Sequence, residues 1–273
     1  MIQQSLQRGF TLIEMVIVIV VGGIVAAMTV SILTLPINAY VDSARRSTLT
    51  DVAESALRRM QRDIRAALPN SIRISADGQT LELLHLVAGG RYRARYATDS
   101  SGDILDFTQN DSSVDVLGSI QNFSDITLAS DRLVIYPLST SGSNAYAGDN
   151  STILSNSSTA DHLDFTAINF PLKSSQQRFF IIDTPISYHC DLSDSAAKNK
   201  VLIRYDGYAI QATQSIPPTS GAAIQANYLT RCSFSYNSGS STRSGLVTLE
   251  IVVADETGES VRLLHQVHVD NQP

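Results

Sequence analysis

One carboxylate, Glu14, stands at the head of the apolar run Phe10-Thr-Leu-Ile-Glu14-Met-Val-Ile-Val-Ile-Val-Val-Gly-Gly-Ile-Val-Ala-Ala-Met28. An unpaired charge in such a segment costs about 2.5–3.5 kcal/mol on insertion scales. The chemistry open to it is charge pairing, because a buried carboxylate is tolerable once an ammonium reaches it and costly once that partner is removed. Other residues of catalytic or ligating type occur as fragments. Ser195-Ala-Ala-Lys198 has the spacing of a nucleophile and base one helical turn apart, but the Ser-Asp-Asn and Lys-Thr-Gly elements that accompany it in acyl-transfer enzymes are missing. His265 and His268 align on a helix but fall on opposite faces of the strand expected there. Asp99, Asp103, Asp106 and Asp111 lack the spacing and closing glutamate of a calcium-binding hand, and read as a solvated acidic loop. No acid–base pair, nucleophile, metal set or phosphate-binding loop stands out, so the expectation is a protein that is not an enzyme and holds no cofactor and no metal.

The element that positions Glu14 is the segment Met15–Leu33, which has no charged residue. As a helix it is about 28 Å long, enough to cross a hydrocarbon core of roughly 30 Å. The competing reading is a secretory signal peptide with a weak cleavage site at Val25-Ala26-Ala27. That reading strands a carboxylate inside the apolar core.

Arg8-Gly9-Phe10-Thr11-Leu12-Ile13-Glu14, followed by about twenty apolar residues, resembles the leader and helix of type IV pilins and of type II secretion pseudopilins. The resemblance implies cleavage after Gly9 by a membrane prepilin peptidase and methylation of the new amino terminus on Phe10. It implies that Glu14 pairs with the terminal amine of a neighbouring subunit during assembly. Its partners are then the peptidase, the major pilin, other minor pilins, the inner-membrane assembly platform and membrane lipid.

The net charge is −6, which argues against a nucleic-acid-binding surface, and Lys173, Lys198 and Lys200 are the only lysines. A local arginine patch remains open. The single Arg8 before the apolar run favours a cytoplasmic amino terminus with the bulk exported across the inner membrane. In an oxidising compartment the pair Cys190 and Cys232 reads as a disulfide closing a loop of about 42 residues, worth roughly 4 kcal/mol. Metal binding is the alternative there, since His189 adjoins Cys190.

Leu49, Val52, Ala53, Ala56, Leu57, Met60, Ile64, Ala67 and Leu68 recur at three- and four-residue spacing between charged residues, the pattern of an amphipathic helix. Pro36 is expected to kink or break the helix, and Pro69 to stop it. Beyond residue 70 come short alternating runs. Ser71–Ala76, Thr80–Val87 and Tyr92–Ala97 predict a meander turning at Asp77-Gly78 and Gly89-Gly90. Further strands are expected at Arg132–Tyr136, His162–Thr166, Arg178–Ile182, Ile186–His189, Val201–Ile210, Arg231–Tyr236, Leu246–Ala254 and Val261–Val269. Ser139–Ala160, rich in Ser, Asn, Gly, Thr and Ala, reads as a surface loop or mobile insertion that could rim a binding site. One long helix followed by strands predicts an α+β fold with antiparallel pairing. The expected organisation is a leader at 1–9, a membrane-spanning and filament-core helix at 10–35, an amphipathic helix at 36–68 and a mostly-β globular domain at 69–273, packed as in type IV pilins.

The segments Ala39–Arg46 and Ala56–Arg73, Arg178-Phe-Phe, the two cysteines and the ending Leu263–Pro273 are similar to minor subunits of MSHA-type (mannose-sensitive haemagglutinin) pili. This implies a subunit present in few copies that acts in initiation at or near the filament tip. A tip-located adhesin using the Ser139–Ala160 loop, and a J-like secretion pseudopilin, are the alternatives.

Overall fold

The computed structural model describes residues 9–239 and 244–272, with the side chains of 30, 31 and 33–35 set aside. The leader expected at 1–9 therefore lies, except for Gly9, outside the described residues. The chain divides into two units, Met1–Thr48 and Leu49–Pro273.

The helix α1 covers Leu12–Arg65 and contains Pro36. Of the kink or break expected at Pro36, the break does not occur: the one backbone hydrogen bond a proline removes, worth about 3 kcal/mol with its steric clash, is small beside the bonds of the surrounding turns. In the first unit the hydroxyls of Thr29 and Thr48 donate to the carbonyls four residues back, Val25 at 2.8 Å and Ala44 at 3.1 Å. Such bonding satisfies a hydroxyl within its own helix.

In the second unit the predicted stripe is the buried face of α1. Ala53, Leu57, Met60 and Ile64 have no exposed surface. Each large side chain so buried contributes about 1.5–3 kcal/mol. They pack with Leu81, Leu83, Ile186, Tyr188 and Cys190 and with Phe234, Val247, Leu249, Ile251 and Val267. Asp63 adds polar ties, accepting hydrogen bonds from Tyr188 Oη and Arg204 Nε, each at 2.8 Å. α1 was expected to run from Phe10 to Leu68 but ends at Arg65. Its next residues join a strand instead: Leu86 N donates to Ala66 O and Leu68 N to Leu84 O.

That strand is β2 (Thr80–Arg91), preceded by the short β1 (Arg73–Ile74) across a turn at Gly78 with φ 72°. The other strands are β3 (Asp111–Asp115), β4 (Arg132–Ile135), β5 (Ser151–Ile153), β6 (His162–Ile168), β7 (Arg178–Asp191), β8 (Val201–Tyr205), β9 (Ala223–Ala226), β10 (Leu229–Asn237), β11 (Gly245–Ala254) and β12 (Ser260–Val269). All pairings are antiparallel. An apolar amino-terminal helix followed by antiparallel sheets is an α+β arrangement of the kind pilins have.

β7 is one strand where two were expected. Along one edge it pairs with β2 throughout; along the other, Arg132–Ile135 of β4 cover its first half and β8 covers Ser187–Asp191. Pro185 falls in the gap between β4 and β8, and opposite it β2 carries register shifts at Leu84/Leu86 and Leu86/Ala88. A residue without an N–H is tolerated at such an interruption.

Gly89-Gly90, expected to turn, lies inside β2 opposite Phe180 and Phe179. A Cβ on Gly90 would stand 2.7 Å from Phe179 Cζ, so the glycine is there to let the buried ring cross the strand. The strand expected at Tyr92–Ala97 is absent, leaving an isolated bridge from Tyr92 to Val116. Ser139–Ala160 is not a mobile insertion. It contains β5, buries Ala145, Tyr146 and Asn150, and is fastened by Tyr146 Oη donating to Ser71 O at 2.9 Å and Asn150 Nδ2 donating to Ile135 O at 3.0 Å. Arg73 lies 3.7 Å over the Tyr146 ring. Composition pointed to solvent there; a buried Tyr146 whose hydroxyl is bonded and a buried Asn150 whose Nδ2 donates override it, with Asn150 Oδ1 left without a partner among the described residues.

Cys190 in β7 and Cys232 in β10 form a disulfide, with Cα atoms 6.3 Å apart and 42 residues between them in sequence. It links the seven-stranded sheet to the three-stranded sheet β10-β11-β12. Replacing both cysteines by serine is expected to lower stability by about 4 kcal/mol. The measurement is the denaturant midpoint of the full chain in detergent; an unchanged midpoint means that core packing alone holds the two sheets together.

Candidate processing and assembly segment

Gly9 and Phe10 precede α1 in an exposed, non-helical stretch, with Phe10 80 % exposed. Thr11 is the residue on which the helix starts. Its Oγ1 accepts a hydrogen bond from Glu14 N at 3.3 Å, and its carbonyl accepts from Glu14 N at 3.1 Å and Met15 N at 3.3 Å. This is an N-cap: a hydroxyl satisfies one of the amides that the first turn leaves without a partner. Glu14 therefore occupies the third helical position, where the positive end of the helix dipole favours a carboxylate by roughly 0.3–1 kcal/mol. Its carboxylate is exposed and makes no ion pair among the described residues.

The large apolar side chains from Leu12 to Met28 are between 47 % and 83 % exposed, so no face of this stretch is covered by its own chain. A helix that is apolar all round belongs in lipid or among other helices. Leu12–Thr29 is long and apolar enough to cross a membrane by length and composition. Gly9, Phe10 and Glu14 thus lie together at the amino-terminal end of a span, as the sequence spacing requires.

The other residues singled out do not gather into a site. Ser195 is exposed on a bend, with Lys198 in a short 3₁₀ turn at Ala197–Asn199. His265 faces α1, its Nε2 3.2 Å from Glu54 Oε2, while His268 is exposed. His189 Nδ1 is 2.8 Å from Thr80 Oγ1, and burial lowers its pKa. Among the four loop aspartates, Asp111 Oδ2 accepts from Asp106 N at 2.7 Å, whereas Asp99 accepts from Ser101.

Asp103 belongs to a cluster that spacing along the chain does not reveal. Asp115 accepts hydrogen bonds from Asp103 N at 2.9 Å and Arg93 Nε at 3.2 Å, and its Oδ1 is 2.8 Å from His162 Nδ1. On the far side of the ring, His162 Nε2 is 3.5 Å from Asp164 Oδ1 and 4.0 Å from Asp103 Oδ2. Arg93, Asp115, Asp161 and His162 line a shallow open groove of about 420 Å³ with Val116, Gly118 and Ser119. Asp115 and His162 meet because β3 and β6 pair in register, and neither strand's pairing could be read beforehand.

Residues 4–30 match the family described as the prokaryotic N-terminal methylation motif. No curated protein and no solved structure matches the chain. Together with the geometry of the first helical turns, the motif supports a type IV pilin-like or pseudopilin-like protein, membrane-anchored and pilus-associated. It implies processing by prepilin peptidase and partners among pilins.

The hydrogen bond to Asp115, with Asp164 and Asp103 beyond, raises the His162 pKa above the ordinary 6.5. The amide of Asp103, followed by His162, lowers that of Asp115 below 3.8. The stabilisation tied to His162 is complete below about pH 6.5 and is lost as pH rises through the raised value; that tied to Asp115 is present above about pH 3.8 and lost as pH falls through its lowered value. An NMR titration of the His162 ring should give a midpoint above 6.5, and one at or below 6.5 contradicts the arrangement.

Proposed function

We propose that this chain is a minor pilin of an MSHA-type type IV pilus, acting in initiation of the filament at or near its tip and carrying out no chemistry of its own. In this reading the peptidase cuts after Gly9, Phe10 becomes the methylated amino terminus, and the helix stays in the mature subunit. The amino terminus faces the cytoplasm and the β-rich part is periplasmic until assembly.

The observation that carries the proposal is the exposed, uncompensated Glu14 at the third position of a helix that is apolar on every side. Brought among other apolar helices it must find a cation. The new ammonium on Phe10 of a neighbouring subunit is such a cation, produced by the same cleavage that frees the helix from its leader. The adhesin reading is weakened by the packed state of Ser139–Ala160, whose Tyr146 and Asn150 are buried.

Replacing Gly9 with a bulky residue, Gly9→Leu, is expected to leave the leader attached; a mature terminus at Phe10 in that variant, read by mass spectrometry, overturns the assignment. Glu14→Ala should be cut normally but recovered in sheared pili at no more than roughly a tenth of the wild-type amount, the loss of a pairing worth at least about 1.4 kcal/mol. Equal recovery argues against the ammonium pairing. Counting pili on cells that lack the chain separates the roles: their disappearance supports initiation, and normal numbers with lost attachment favour an adhesive subunit.

A further inference from the structure

The charge of this chain is placed unevenly. Residues 92–170 hold ten aspartates against Arg93, Arg95 and Arg132, a formal −7, which leaves +1 on the remainder of a chain whose total is −6. These residues form a lobe around a core of their own that includes Tyr92, Leu105, Val114, Leu163, Phe165 and Phe170. Asp99, Asp125 and Asp161 are exposed on it and form no ion pair among the described residues.

Of opposite sign, the last turns of α1 present Arg58, Arg59, Arg62 and Arg65, all exposed. Arg58, Arg62 and Arg65 follow one another at four- and three-residue spacing and so share a face, with Arg59 beside Arg62. Among the described residues one ion pair reaches this set, Glu54 at 2.8 Å from Arg58 Nε, and Glu54 is shared with His265; Asp63, four residues after Arg59, is engaged by Tyr188 and Arg204. The helix dipole favours Arg62 and Arg65 in the last turn. It does not reach Arg58 and Arg59, and like charges four residues apart oppose one another. No ion pair joins these arginines to the acidic lobe of their own chain among the described residues.

We propose that the Arg58–Arg65 face of α1 is a docking surface for the aspartate-rich lobe of a second copy of this chain, an inference that rests on the pilin-like reading for its setting. The two surfaces are unlike, so the contact is heterologous: the helix face of one copy meets the lobe of another, without a two-fold axis between them. Because the charges are exposed, the attraction acts within a Debye length and weakens as salt rises. Charge complementarity of this sort also sets the register in which two surfaces meet.

The test uses the full chain, produced alongside its peptidase and purified in neutral detergent, with self-association followed by sedimentation velocity at about 0.02 M and 0.3 M salt. Wild type should associate more weakly at the higher salt. Arg62→Glu with Arg65→Glu should weaken association at least tenfold, and adding Asp99→Arg, Asp125→Arg and Asp161→Arg to that variant should restore part of it. A thermal midpoint for each variant separates lost docking from lost folding. Association within twofold of wild type in the arginine variant, or none in wild type at low salt, overturns the proposal. So does a variant that loses binding to phosphatidylglycerol vesicles or duplex DNA while its self-association is unchanged, which assigns the face to lipid or nucleic acid. Mass spectrometry of the amino terminus on the same samples keeps the two readings apart. An uncut leader with reversal and rescue refutes the pilin-like reading but supports the docking surface; a cut leader without them does the opposite.

Discussion

The burial of one face of α1 is the interaction on which the second unit depends. Ala53, Leu57, Met60 and Ile64 have no exposed surface, and the residues they touch come from strands far apart in sequence, β2 and β7 on one side and β10–β12 on the other. Each sheet alone has an apolar face that must be covered. The helix covers part of both, and the Cys190–Cys232 bond joins the same two sheets where β7 and β10 meet. Asp63 belongs to this arrangement too, since its bonds to Tyr188 and Arg204 orient α1 against β7 and β8 with polar partners that few other positions would satisfy.

β7 distributes the consequences. Its second half, Ile186 to Cys190, enters the core under α1, while Phe179 and Ile181 in its first half enter the separate core of the acidic lobe. Between them Leu84, Val134 and Ile182 meet Leu68, Ala145 and Tyr146 in a smaller cluster. A strand of fourteen residues can serve three apolar clusters because its flanking strands change partway along, at the point where Pro185 donates no hydrogen bond. The lobe of residues 92–170 is thus attached through shared strands while keeping its own interior, which leaves its carboxylates free to concentrate on its surface.

The first unit obeys a different constraint. From Leu12 to Met28 every large apolar side chain is substantially exposed, so its stability must come from lipid or from other helices. In that surrounding the placement of a carboxylate at the third helical position is the one polar feature that needs an answer. Thr11 takes the amides of Glu14 and Met15, and no ion pair reaches the Glu14 carboxylate among the described residues.

Patterns with a short period could be read directly from the residues. The apolar run with Glu14, the leader-like Arg8-Gly9-Phe10, the inner stripe from Leu49 to Ile64, the turn at Asp77-Gly78 and the strands from β10 to β12 are local: side-chain periodicity and turn chemistry determine them before any tertiary contact forms. What only the tertiary structure decided depends on partners distant in the chain. Gly89-Gly90 is strand and not turn because Phe179 needs the space. Ser139–Ala160 is packed and not loose because Tyr146 finds Ser71 and Arg73. α1 stops at Arg65, before Pro69, because Ala66 and Leu68 bond to β2. Asp115 and His162 form a charge cluster because β3 and β6 pair across 47 residues. In each case the local preference is worth a fraction of a kilocalorie to about one, and a buried ring, a satisfied carbonyl or a ladder bond outweighs it, so the outcome belongs to the fold and not to the segment.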